Sequence, residues 1–325
     1  MSANATLTGN DLFDRQLLFV TGKGGVGKST AAAALSIIGA ESGKRTLLVE
    51  IDAKGHVADL FAVPAFGAQP EEIQPNLYGL TIDTELALRE YLKLNMKIPM
   101  MGRIGTLARI FDFVATAAPG VKEILTIGKI SWEAGLDGRE SSEWDLIVVD
   151  ATATGHIVGQ LNAHRSIREM VSVGIIREQT EEMAELLEDP GRTGVVLVAT
   201  PEEMPVSETI DLYGRFTELT NVDIAAVVVN RVLPELFTKA EAEIFEGMRD
   251  PSVTELLADY LGHDATPMLD AAELAVTLRR TRGEHLKRLR ERVPLPMYYV
   301  PNFFVKSQGL RITRLVAQAL SEELS

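Results

Sequence analysis

Gly22-Lys23-Gly24-Gly25-Val26-Gly27-Lys28-Ser29-Thr30 stands directly after the apolar run Leu17–Thr21 and directly before the alanine-rich stretch Ala31–Ala34. The apolar, β-branched run reads as a strand and the alanines as the opening of a helix. Glycines between them allow a sharp turn whose N–H groups point inward, and a helix starting near Lys28 offers its positive end to the same spot. Such a turn is a cradle for anions, and its spacing is that of a loop that wraps nucleotide phosphates. The expected binding surface is Gly22, Lys23, Gly24, Gly25, Val26, Gly27, Lys28, Ser29 and Thr30. Lys28 is expected to reach the β- and γ-phosphates, and the Ser29 hydroxyl to ligate Mg²⁺.

Outward from this loop, short apolar runs alternate with helical patterns: Leu17–Thr21, Thr46–Ile51, Leu77–Ile82, Leu146–Asp150, Val195–Thr200, Ile224–Asn230 and Met297–Val300. Several are continuously apolar, as strands buried on both faces tend to be. The pattern predicts an α/β fold, a doubly wound and mostly parallel sheet, as one domain over 1–325. Between Thr84 and Gly138 no convincing strand occurs, so 84–138 reads as a helical insertion. Longer helical stretches are expected from His156 to about Leu187 and from Pro234 to Arg292, the latter broken at Pro251, Gly262, Pro267 and Gly283. A last helix is expected from about Ser307 to Glu323, with Leu310, Leu315, Val316, Ala319 and Leu320 on one side.

The 325 residues are 46% hydrophobic, enough for a sizeable core, and carry no cysteine and a formal net charge of −14. The absence of thiols removes disulfides, zinc thiolates and thiol-bound metalloid, and fits a reducing compartment; the cytoplasm is the expected location. An acidic surface disfavours nucleic acid. The basic cluster Arg279–Arg292 contains Glu284 and Glu291 and reads as a solvated helix face. No run is long and apolar enough to span a bilayer, so no stable membrane insertion is expected.

A second lysine immediately after the first glycine is not needed by an ordinary phosphate loop. The form GKGGVGKST resembles the deviant Walker A class, and Asp150-Ala151-Thr152-Ala153-Thr154-Gly155-His156 resembles the DTAPTGH switch of its arsenite-pump and tail-anchored-protein targeting ATPases, the ArsA-like family. Thr152 and Ala153 depart from that pattern. The resemblance implies ATP and Mg²⁺ as ligands, and a face-to-face dimer in which Lys23 crosses to the partner's nucleotide. The other reading of Lys23 is a contact with its own phosphate or with solvent. Asp150, an acidic residue ending a strand, is the second expected Mg²⁺ residue beside Ser29.

Asp52-Ala53-Lys54-Gly55-His56 resembles the family's DPAHN element. That resemblance gives Asp52 the role of orienting the attacking water, while capping of the following helix is the alternative. His56 and His156 read as packing or hydrogen-bonding residues. Asn230 stands where the superfamily reads adenine. Pro301 and Phe303 stand where relatives close over the base, although Phe303 reads equally well as a core aromatic. Glu202 matches an acidic residue near the relatives' dimer interface. Ala118–Leu125 resembles the PGIDEA segment of the client-binding helices, and Met96, Met100, Met101, Ile104, Leu107, Ile110, Phe111 and Val114 recur at helical spacing there. They form either a groove for hydrophobic cargo or the insertion's own packing.

The leading expectation is therefore a dimeric ATP-hydrolysing switch, either a homodimer or paired with a close paralogue, that opens and closes a helical surface for a membrane-protein or other hydrophobic client. A spatial regulator binding membrane when ATP-bound, like the cell-division and plasmid-partition ATPases, and a metabolic kinase or ligase are the alternatives.

Overall fold

The computed structural model describes residues 12–51, 55–83, 121–136, 142–151, 154–170, 175–235, 237–304 and 309–325. Its centre is an eight-stranded sheet of β1 (Leu17–Gly22), β2 (Thr46–Ile51), β3 (Glu71–Gln74), β4 (Leu77–Ile82), β5 (Leu146–Asp150), β6 (Thr193–Ala199), β7 (Ile224–Val232) and β8 (Met297–Pro301), in the order β3-β4-β2-β5-β1-β6-β7-β8. Every neighbouring pair is parallel except β3–β4, so the predicted doubly wound α/β sheet is what the chain forms.

Continuous apolarity in the strands has a direct cause, because side chains alternate between two cores. Leu17, Phe19, Leu47 and Val49 enter one; Leu18, Val20, Leu48 and Val148 enter the other. Helices α3 (Val121–Glu133), α4 (Thr154–Met170), α5 (Ile175–Glu188), α6 (Glu203–Leu219) and the end of α9 (Thr266–Arg292) cover the first face. The second is covered by α1 (Lys28–Glu41), α2 (His56–Phe61) and α10 (Leu310–Leu324).

Several boundaries differ from the expectation. β3 was not foreseen: its two glutamates are exposed and it pairs antiparallel at the sheet edge, where charge discourages further strand addition. The breaks at Pro251, Gly262 and Pro267 match α7 (Lys239–Met248), α8 (Pro251–Leu261) and α9, with Asp250 capping α8 and a left-handed Gly262 ending it. Gly283 breaks nothing. It lies inside α9, whose Leu286 and Leu289 are buried, and that packing outweighs a glycine penalty of about 1 kcal/mol. The basic cluster on α9 is the expected solvated face, with Arg280, Lys287, Arg288, Arg290 and Arg292 exposed, and some of its arginines also reach neighbours. Arg282 reaches Glu202 at 3.3 Å, Arg288 donates to the Ser207 hydroxyl at 2.9 Å, and the Arg290 guanidinium lies 4.9 Å from the Tyr299 ring centroid.

The apolar side of α10 is formed by Val316, Ala317, Leu320 and Leu324 with Thr313, packed on α1 and β8. Leu315 and Ala319 are only half-buried. Of the expected insertion, 121–136 is described and holds α3; residues 84–120 and their methionine stripe lie outside the described residues, as do Asp52, Thr152 and Ala153. β1 sits between β5 and β6, so the chain winds one way through β2 and the other through β6 and β7. Ligands of open α/β sheets bind at this switch point, outside the carboxyl ends of the strands.

Candidate functional site

The loop leaving β1 is held from beneath by contacts that admit only glycine. A Cβ on Gly22 would stand 2.2 Å from the Val198 carbonyl oxygen. A Cβ on Gly27 would stand 2.3 Å from Asn230 Nδ2, and Gly27 has a left-handed φ of 95°. The loop is thus seated on β6 and β7, and it delivers the chain directly into α1 with Gly27 as N-cap residue. Ala31–Ala34 are buried where α1 meets the sheet, which explains the alanine run: larger side chains would lift the helix off the strands.

Asn230, 8% exposed, is the brace. Its Nδ2 donates to the Val26 carbonyl at 2.8 Å, and its Oδ1 accepts the Arg231 N–H at 2.9 Å. Arg231 itself adopts a left-handed φ of 58°. A carboxamide has two donor hydrogens and two acceptor lone pairs, so each end of Asn230 keeps one for a further partner. Pro301 ends β8 and is exposed, whereas Phe303 is half-buried against the core beneath α1 and α10.

Two lysines share the loop and differ in direction. Lys28 donates back to the Lys23 carbonyl at 3.2 Å, spanning the turn, and burial lowers its pKa while Asp150 opposes that effect. Lys23 turns outward, and its ammonium meets Glu208 of α6 at 2.6 Å. Glu202, the N-cap residue of the same helix, pairs with Arg282.

Ser29 and Asp150 come together as expected: the hydroxyl donates to Oδ2 at 2.6 Å. Burial pushes the Asp150 carboxyl up to about 6; the Ser29 hydrogen bond and Lys28 pull it down, Glu50 pushes further up, and His56 pulls down. Asp150 Oδ1 is buried and without a hydrogen-bond partner among the described residues. A hydroxyl and a carboxylate with an unused oxygen suit Mg²⁺, which takes few protein ligands and keeps water and phosphate for the rest. No group of three or more metal-binding side chains gathers among the described residues. His56 and His156, opening α2 and α4, are exposed.

Glu50 is the residue the sequence reading passed over. It sits one position from the end of β2, is 4% exposed, and leaves Oε2 unpartnered among the described residues. The available signal was a lone carboxylate inside the otherwise uncharged TLLVEI.

Among the described residues no helix is long and apolar enough to cross a membrane. The model of the anion-transporting ATPase family matches residues 15–176 and 168–252. ATPase BagA of Mycobacterium tuberculosis is 34% identical over 322 residues, covering 91% of this chain and 94% of that protein. A putative arsenical pump-driving ATPase of Halobacterium salinarum is 28% identical over 295 residues, covering 86% of this chain and 44% of that longer protein. An ATPase ASNA1 homolog of Entamoeba dispar is 27% identical over 256 residues, 67% of this chain and 76% of its own length.

Proposed function

This chain belongs to the anion-transporting ATPase family and is an ATPase, and we propose that it works as one half of a two-chain switch whose ATP cycle opens and closes a surface for a hydrophobic client. The observation that carries the reading is the division of labour between the lysines. Lys28 is turned into its own loop, while the Lys23 ammonium is held 2.6 Å from Glu208, outside that loop. On leaving Glu208, that cation would meet phosphates presented by a second chain and offset charge developing during γ-phosphate transfer.

Within one chain, the glycine-rich backbone and Lys28 bind the phosphates, and Asn230 uses its remaining donor and acceptor toward adenine. Ser29 and Asp150 hold Mg²⁺, which supplies charge neutralisation at the β- and γ-phosphate oxygens. Asp52 orients the attacking water. Pro301 and Phe303 flank the base. The partner is a second copy or a close paralogue.

Support for a client surface comes from α7–α9, where Leu256 and Tyr260 are 68% and 89% exposed and Ile244, Met268 and Leu274 are exposed as well. Helix α8 buries none of its residues. Exposed apolar side chains in such number mark a surface for a partner rather than a solvated one. Thiol-bound arsenite is not the cargo of a chain without cysteine. A membrane-binding role for α10 has no free apolar face to act through, since that face packs on α1 and β8.

The test is sedimentation with a non-hydrolysable ATP analogue and Mg²⁺, paired with phosphate release without added substrate. Wild type should sediment as a dimer only with the analogue and release phosphate unaided; Lys28→Ala should lose both along with tight ATP binding. A chain that turns over ATP as a monomer contradicts the two-chain switch, and phosphate release only with an added acceptor makes it a kinase.

A further inference from the structure

Glu50 and Asp150 are direct partners across the parallel pair β2–β5. Direct partners in neighbouring strands project to the same face of the sheet, with backbones about 4.8 Å apart. That face is the one covered by α1, which brings Ser29 to Asp150. Two carboxylates therefore stand side by side at the carboxyl end of the sheet, beneath the glycine-rich loop. Each keeps a buried oxygen, Glu50 Oε2 and Asp150 Oδ1, with no hydrogen-bond partner among the described residues. The other oxygen of Glu50 accepts only a long bond, 3.4 Å, from the Val57 N–H of α2.

Burying a carboxylate oxygen without a partner is expensive, and doing so twice at adjacent positions with like charge is more so. Among the described residues no lysine or arginine pairs with Glu50, and the Lys28 ammonium is bonded to the Lys23 carbonyl. A divalent cation offsets both charges at once: one unused oxygen belongs to Asp150, already proposed for Mg²⁺, and the other to its direct partner across the strands. A leucine or valine at position 50 would have continued the apolar strand with no penalty, so the carboxylate needs a positive partner to account for it.

We propose that Glu50 is a second carboxylate of the Mg²⁺ site, acting with Asp150 and Ser29 and tying the cation to the first turn of α2 through Val57. The inference rests on the nucleotide-binding reading above and extends it by a residue. Its role is to hold the metal with the nucleotide, not to bind the nucleotide itself.

The test uses the full chain with ADP and Mn²⁺ as the paramagnetic probe for Mg²⁺, with free Mn²⁺ counted by electron paramagnetic resonance. Glu50→Gln keeps the shape and removes the charge. Mn²⁺ affinity of the ADP-bound protein should fall about ten- to a hundredfold, as it does when a supporting residue of a metal site is lost. ADP affinity in EDTA should stay within about twofold of wild type, and the metal-free melting temperature should be unchanged or higher. Unchanged Mn²⁺ affinity overturns the proposal, and a lowered melting temperature alongside it makes Glu50 purely structural. If Glu50→Gln does not fold, Glu50→Asp keeps the charge but withdraws it by one methylene, and the same fall or its absence decides. Wild type that fails to bind ADP at all defeats the nucleotide reading instead.

Discussion

Lys23 Nζ lies 2.6 Å from Oε1 of Glu208, a residue 185 positions away on α6. The side chains retain 26% and 37% of their exposure, so solvent screens the pair and it contributes at most about 1 kcal/mol. In the two-chain reading, Lys23 leaves Glu208 whenever it serves the partner's nucleotide. A dimer of two copies gives up two such pairs, which together oppose closure by at most about 2 kcal/mol, about thirtyfold in the dimerisation equilibrium.

Glu208→Gln, present in both chains, should accordingly tighten ATP-dependent dimerisation by up to about thirtyfold without changing nucleotide affinity of the single chain. Sedimentation velocity across a concentration series with a non-hydrolysable analogue measures it. A dimer weakened by the substitution would mean that Glu208 assists closure instead of resisting it.

Asp150 sets a pH dependence of the metal-free protein. Its carboxyl titrates near 6 in the fold against a reference of 3.8, chiefly because it is buried. A raised folded-state value means that the protonated form is favoured: the stability from this group is complete below 3.8 and is lost as pH rises through about 6. At pH 7.5 the ionised group lowers stability by up to about 3 kcal/mol relative to pH 3.8. Asp150→Asn removes the titration. Denaturant melts without metal should therefore find the variant close to wild type near pH 4 and more stable at pH 7.5, with Mg²⁺-dependent hydrolysis lost. A constant difference between the two proteins from pH 4 to 7.5 would show that burial of this carboxylate carries no such penalty.

Much of this was legible in the sequence because it depends on local pattern. Apolar runs locate seven strands, and the requirement that an acid end a strand beside the loop pairs Ser29 with Asp150. The structure brings them to 2.6 Å. What escaped depends on long-range packing. β3 offers Glu71-Glu72-Ile73-Gln74, too short and charged to signal a strand, and forms only because β4 is there to pair with it. Gly283 looked like a break because propensity cannot see Leu286 and Leu289 holding the helix down. The Glu208 contact to Lys23 and the Asn230 brace under Val26 join residues far apart in sequence. Glu50 was hidden in an apolar strand, and only the register of β2 against β5 sets it beside Asp150.

If each active site uses Lys23 from the other chain, two different defects should complement one another. Lys23→Ala and Asp150→Asn should each be nearly inactive alone, the first for want of the crossing lysine, the second for want of its own metal site. Mixed in equal amounts, half of the dimers pair the two variants, and in each of these the Lys23→Ala chain keeps its own Asp150 and receives Lys23 from its partner. Phosphate release by the mixture should recover to about a quarter of the wild-type rate per chain. A mixture as inactive as its components, or a Lys23→Ala chain that hydrolyses ATP at the wild-type rate alone, would contradict the shared site.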